Sequence, residues 1–162
     1  NISLLKPKVH DVTNLVAVIK ANKSDETLAR FLRPQAWEVM AGYLSMEKVE
    51  RGHILIAQGA LDRTLYFLES GVLRVHRGQS SSQLQLAVLG PGAVVGEGSF
   101  FSEIERNATV QATQQSVVWS ITPEKFKQMS KSHPTTALSL AMALGAVLST
   151  RMLDVSRRIT VT

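Results

Sequence analysis

The sequence predicts an α+β fold that is mainly β: an antiparallel β jelly-roll barrel with N-terminal helices, a short helix inserted in it and a long C-terminal helix. Three observations predict it. From Met46 apolar and polar residues tend to alternate, as in Val72-Leu73-Arg74-Val75-His76-Arg77, the pattern of strands with one buried and one wet face. Turn signals recur through the same span, at Arg51-Gly52, Gly59, Ser70-Gly71, Gly78 to Ser82 and Gly90-Pro91-Gly92, a rhythm of many short antiparallel strands. On both sides of it the apolar residues fall three and four apart instead, the spacing of a helix face.

In chain order, residues 1–10 read as irregular and lead to a helix from Asp11 to about Ala21, with Asp11 as N-cap and Val12, Leu15, Val16 and Ile19 on one face. Asn22 to Asp25 interrupts. A second short helix carries Leu28, Phe31 and Leu32, and Pro34 opens a third with Trp37, Met40, Ala41 and Leu44 on its apolar side. Strands are expected at 46–50, 53–57, 64–69, 72–77, 83–89, 107–112 and 116–121. Thr122 caps a helix that begins at Pro123 and runs to about Ser132, and Pro134 starts a long one to about Arg158. Along the long helix Ala137, Ala141, Leu144, Leu148, Met152, Val155 and Ile159 form a stripe, with Leu138, Leu140, Met142 and Val147 off it. A helix apolar nearly all round is covered on two sides, here by the barrel and, most simply, by the same helix of a second chain in a homodimer. The expected units are an N-terminal helical segment 1–45, a barrel 46–122 and a C-terminal hinge and helix 123–162.

At 162 residues the chain suits one compact domain with an added helix. The absence of cysteine excludes disulfides and thiolate metal sites and suits a cytoplasmic setting. No apolar run reaches the ~18 residues of a membrane span, and no charged-then-apolar leader stands at the start. The first residue is Asn1 rather than Met, as in an excised or processed piece. The net charge of +5 comes from 18 basic residues spread without a dense block, which points to ordinary solvation rather than a nucleic-acid footprint. His10, His53, His76 and His133 are scattered, with no His-x-His pair or acidic partner, and no nucleophile elbow, Walker loop or paired acid is present. Neither a metal site nor a catalytic residue is expected, which argues against an enzyme built on this fold, such as a cupin-like metal oxygenase.

The chemistry concentrates between Val95 and Ala112. Gly96 to Gly98 form a turn whose N–H groups can face a concavity, Ser99 is placed where a short helix can begin, and such turns attract anions. Arg106 follows Glu97 by nine residues, so one helical turn and a return loop bring both to one pocket. A guanidinium fork pairs with two phosphate oxygens and a carboxylate accepts from hydroxyls, which together suit a sugar phosphate. The same spacing also fits a surface hairpin whose Glu97 and Arg106 are solvated or paired with each other at ~0–1 kcal/mol.

The whole stretch, with Gly96, Glu97, Arg106, Asn107, Ala108, Thr109 and Val110 at the matching positions, resembles the phosphate-binding cassette of the cyclic nucleotide-binding domain family, the sensor domains of the catabolite activator and protein kinase A regulatory subunit type. Leu55-Ile56-Ala57-Gln58-Gly59 followed by Thr64-Leu65-Tyr66-Phe67-Leu68-Glu69-Ser70-Gly71 resembles the family's other hallmark, a Gly-turned hairpin leading to an apolar strand and a Gly. The match runs from about Trp37 to Arg158. The resemblance implies a ligand, cAMP ahead of cGMP, gripped by Gly96, Glu97, Gly98, Ser99, Arg106, Asn107 and Ala108. It further implies an apolar wall for the base that includes Val75, Leu86 and Leu89, and Ser149 and Thr150 reaching the base from the long helix, through which relatives dimerise. Several residues depart from the pattern: Val95, Gly98, Ser99, and above all Glu103 and Glu105, whose charges oppose an anion if they point inward. They leave open a weakened or empty pocket, and Asn107 leaves the choice of base open. Only Thr160, Val161 and Thr162 follow Ile159, so DNA reading is not expected of this chain alone even if it is the sensor part of a transcription regulator.

Overall fold

Among the described residues, eight strands form two four-stranded antiparallel sheets. The first holds, in spatial order, β1 (Ser45–Val49), β8 (Ser116–Ile121), β3 (Leu65–Ser70) and β6 (Val94–Val95). The second holds β2 (Ile54–Ile56), β7 (Thr109–Ala112), β4 (Leu73–Arg77) and β5 (Leu84–Leu89). The molecule is known from a computed structural model that describes residues 11–22, 27–79 and 81–160. The irregular start expected at residues 1–10, the break at 23–25 and the last two residues lie outside the described residues, as do the side chains of Val155 and Ile159.

Two cores follow from the register. Val49, Ile56, Leu68, Leu73, Val95, Val110 and Val118 fill the space between the sheets. On the opposite face of the first sheet, the pairs Leu65↔Ile121 and Phe67↔Trp119 bring four large apolar residues together under the helices. The first sheet is therefore buried on both faces, which is why Leu65-Tyr66-Phe67-Leu68 reads as a nearly continuous apolar run. Trp37 meets Phe67 edge-on at 5.6 Å, and the Trp119 indole donates to Glu69 Oε1 at 3.0 Å, so its buried N–H is satisfied. Among the described residues the outer face of the second sheet carries no such layer, and Leu84 and Val88 of β5 are exposed.

The helical layer comprises α1 (Thr13–Ala21), α2 (Thr27–Phe31), α3 (Pro34–Met40), α5 (Pro123–Ser132) and α6 (Pro134–Thr160). Asp11 acts ahead of α1 rather than as its N-cap, which is Val12: its Oδ1 accepts from the Thr13 N–H at 2.9 Å and from the Thr13 hydroxyl. Thr122 Oγ1 caps α5 by accepting from the Lys125 N–H at 3.2 Å. Ala41 and Leu44, expected on the third helix, lie beyond its end yet are buried.

Three expectations need correction. The alternation along 72–77 breaks because the ladder with β5 shifts register between Val75 and His76, so His76 is buried instead of wet. The stripe assigned to α6 is not the buried face: of its residues Ala137 and Leu144 are buried, Ala141 and Leu148 half-buried and Met152 exposed, while Leu140 and Val147, placed off it, are buried with Ala143 in the core with α2 and α3. With Ala and Leu on every side, the sequence alone does not mark which face turns inward. The same composition makes Pro134–Asp154, at a mean hydropathy of 1.5, long and apolar enough by length and composition to cross a membrane, contrary to the reading that no stretch is. Only 28% of that stretch is buried against the domain, and Leu138, Met142, Met152 and Leu153 are exposed.

Candidate ligand-binding site

Gly96 and α4 (Glu97–Ser102) join β6 to the loop that leads into β7. Gly96 takes φ +90°, and a Cβ there would stand 2.8 Å from both Arg106 Nη1 and the Thr64 carbonyl oxygen, so glycine is required by backbone and by space. The helix starts at Glu97, two residues earlier than Ser99. With six residues it is too short to carry a macrodipole site, and anion chemistry here falls to Arg106.

Arg106 is 3% exposed. Its Nη1 donates to the Gly96 carbonyl at 2.9 Å, and its Nη2 donates to Asp62 Oδ2 at 3.0 Å and to the Thr64 carbonyl at 2.5 Å. Its Nε–H is buried with no acceptor. Burial pushes the Asp62 carboxyl up, but hydrogen bonds from Thr64 and Arg106, together with the Arg106 charge, outweigh it and hold Asp62 below the usual carboxylate range. Burial and the nearby Asp62 charge push the Tyr66 phenol up.

A cavity of about 590 Å³ opens between the second sheet, α4 and α6. Gly96, Glu97, Gly98, Ser99, Arg106, Asn107 and Ala108 all line it, and so do Val75, Leu86 and Leu89. Arg106 and Glu97 thus share one hollow. Glu105 also lines it, whereas Glu103 turns away to Arg63, its Oε1 3.5 Å from Nη1. Asn107 is held by its backbone, whose carbonyl accepts from Arg77 Nε at 3.0 Å.

From α6 the cavity receives Leu148, Arg151 and Asp154 rather than Ser149 and Thr150. Ser149 is exposed, and the Thr150 hydroxyl donates back to the Ala146 carbonyl at 2.9 Å. Successive helical residues point ~100° apart, so the positions that the resemblance implied, Ser149 and Thr150, lie outside the lining that Leu148 and Arg151 enter. The Arg151 Nη1 donates to Glu97 Oε1, and its Nη2 donates to the Val94 carbonyl at 2.8 Å, tying α6 to the start of α4. Asp62 was equally missed, since nothing in its spacing links it to a residue 44 positions later.

Apart from the α6 residues, the site sits within a match, over residues 46–133 and so more than half of the chain, to the family model described as cyclic nucleotide-binding domain. The chain belongs to the cyclic nucleotide-binding domain family. The domain is 30% identical over 114 residues to the cyclic AMP receptor protein of Thermus thermophilus, a match spanning 70% of this chain and 53% of that protein. The crystal structure of the Thermus thermophilus catabolite activator protein superposes with a TM-score of 0.70 at 26% identity, covering 83% of this chain and 62% of that one. A cyclic nucleotide-binding domain from Methylobacillus flagellatus superposes with a TM-score of 0.74 over 93% of this chain and 96% of that one; at 18% identity it speaks for the fold. The chain spans about half the length of the Thermus receptor protein it matches. Among the described residues of this domain no group of three or more His, Asp or Glu is placed to hold a metal ion.

Proposed function

We propose that the domain binds a 3′,5′-cyclic nucleotide, cAMP ahead of cGMP, and relays occupancy through α6 to an effector or partner. The observation that carries this is Arg106: buried at 3%, it lines the cavity shared with Glu97 and keeps one N–H without an acceptor. A cyclic phosphodiester offers that acceptor, and the free ribose hydroxyl finds the Glu97 carboxylate. The wall beyond them is apolar, through Ile56, Val75, Leu86, Leu89 and Val110, and suits the less polar edge of adenine. The name of the Thermus relative agrees with that preference.

Relay follows from the contact between Glu97 and Arg151. A ribose hydroxyl that takes Glu97 competes with Arg151, so ligand favours a different placement of α6 and shifts the population toward it. The exposed positions Leu138, Met142, Ser149 and Met152 continue a four-three spacing through Gly145, the period of a two-helix seam, which supports a homodimer. In this reading the domain works in the cytoplasm, catalyses nothing and reads no DNA by itself. Calorimetric titration with cAMP and with cGMP tests it, with heat expected from at least one. No heat from either at ~1 mM removes it and favours a second reading. That reading is a degenerate pocket, in which Asp62 and Arg151 hold the two key side chains permanently and Glu105 repels the anion.

A further inference from the structure

The loop 61–64, just ahead of β3, sets two opposite charges side by side and uses both on the segment that walls the cavity. Asp62 holds Arg106 at the far end of that segment. Arg63 crosses to α4: its Nε donates to the Ser99 carbonyl at 3.2 Å, its Nη2 to the Phe100 carbonyl at 2.9 Å, and its Nη1 lies 3.5 Å from Glu103 Oε1. The Ser99 carbonyl also accepts from the Glu103 N–H at 3.2 Å, whereas the Phe100 carbonyl lies in the last turn, where intrahelical donors run out and Arg63 supplies one. Glu103 ends the helix at φ +61°, the one non-glycine at positive φ among the described residues, in a conformation that glycine takes freely.

A six-residue helix does not sustain itself in water. One fastening of α4 is Phe100, 5% exposed and edge-on to Phe126 at 5.3 Å. Arg63 is the other. It does not line the cavity; it lines a separate groove behind α4 with Phe101, Phe126 and Lys127. The cavity meets the opposite side of the helix, at Glu97, Gly98, Ser99 and Ser102.

We infer that Arg63 is a positioning residue for the ligand site: from behind, it fixes the helix whose Glu97 and Ser99 face the cavity, and with Asp62 it makes loop 61–64 a two-point clamp. The inference rests on the cyclic nucleotide reading above. Without the clamp the helix samples other placements, and apparent affinity falls in proportion to the fraction still competent.

The experiment is calorimetry with cAMP and cGMP on wild-type, Arg63→Ala and Arg63→Lys chains, with melting curves and amide exchange of the ligand-free proteins alongside. Arg63→Ala is expected to bind about tenfold more weakly, with faster exchange confined to residues 98–105. Arg63→Lys keeps charge and stem without the fork and is expected to fall between the two. Adding Glu103→Gly to Arg63→Ala, which ends the helix without strain, is expected to recover at least half of the lost affinity on a logarithmic scale. An Arg63→Ala affinity within twofold of wild type overturns the inference alone. So does faster exchange throughout both sheets, or no recovery with glycine at 103. No heat from wild type with either nucleotide removes the ligand reading and this inference together.

Discussion

Replacing Glu97 by Gln, and at the same time the cyclic nucleotide by its 2′-deoxy analogue, asks whether this carboxylate holds the ribose. A hydrogen bond to a charged acceptor is worth ~1.5–3 kcal/mol and a neutral one ~0.5–1.5, so Glu97→Gln forfeits ~1–1.5 kcal/mol toward the hydroxyl, about tenfold in affinity. The single substitution will show less than that. Glu97 is also the partner of Arg151, whose side chain is 38% exposed, and freeing it from a contact worth under ~1 kcal/mol after solvent screening returns part of the loss. The cycle removes that complication, because both ligands meet the same protein. Calorimetry on the four combinations is expected to show the deoxy analogue about tenfold weaker on wild type and within about threefold of the parent nucleotide on Glu97→Gln. Equal losses on both proteins would refute the contact. Melting without ligand should fall by no more than about 2–4 °C, the scale set by ~1 kcal/mol in a domain of this size.

Gly71→Ala places a Cβ 2.0 Å from Ser116 Oγ at a residue with φ +97°, and should destabilise by ~2–4 kcal/mol in urea denaturation, whereas Gly59→Ala, with open space around it, should cost about 1. Asp62, held below its ordinary range, contributes stability that is present above pH ~4 and is lost as pH falls through its depressed value. Acid melting of Asp62→Asn should therefore be flatter than wild type below about pH 4, by under ~1 kcal/mol because the side chain is 46% exposed; parallel curves would count against the assignment. Leu138→Glu with Met142→Glu puts charge on the exposed face of α6, and sedimentation should show a dimer converted to monomer without loss of ligand heat.

How much of this was readable from the residues depends on how local each signal is. Strand positions and glycine turns came through within a residue or two because alternation and turn chemistry are local, and the segment 95–112 carried its own pattern in one piece. The two-residue strand β6 did not, since Val94–Val95 is too short to show a period and reads as the start of the neighbouring turn. Phase on α6 was hidden by apolar residues on every side, and a one-residue error there exchanges Arg151 for Thr150. Asp62 and Arg63 reach across 44 and up to 40 positions to their partners, and only the folded chain brings those ends together.

Among the described residues the two sheets are unequally clad, one sealed beneath helices and the other bare on its outer side. Free energy of local opening follows that covering, so β3 and β8 form the slow half of the domain and β4 and β5 the half that breathes first. In the proposed complex the base would lie against the yielding β4 and β5, while Arg106, which leads into β7 but is fastened to Asp62 and Thr64 just ahead of β3, would keep the phosphate tied to the slow half, so that a guest could enter by lifting the roof while its anchor point stays put.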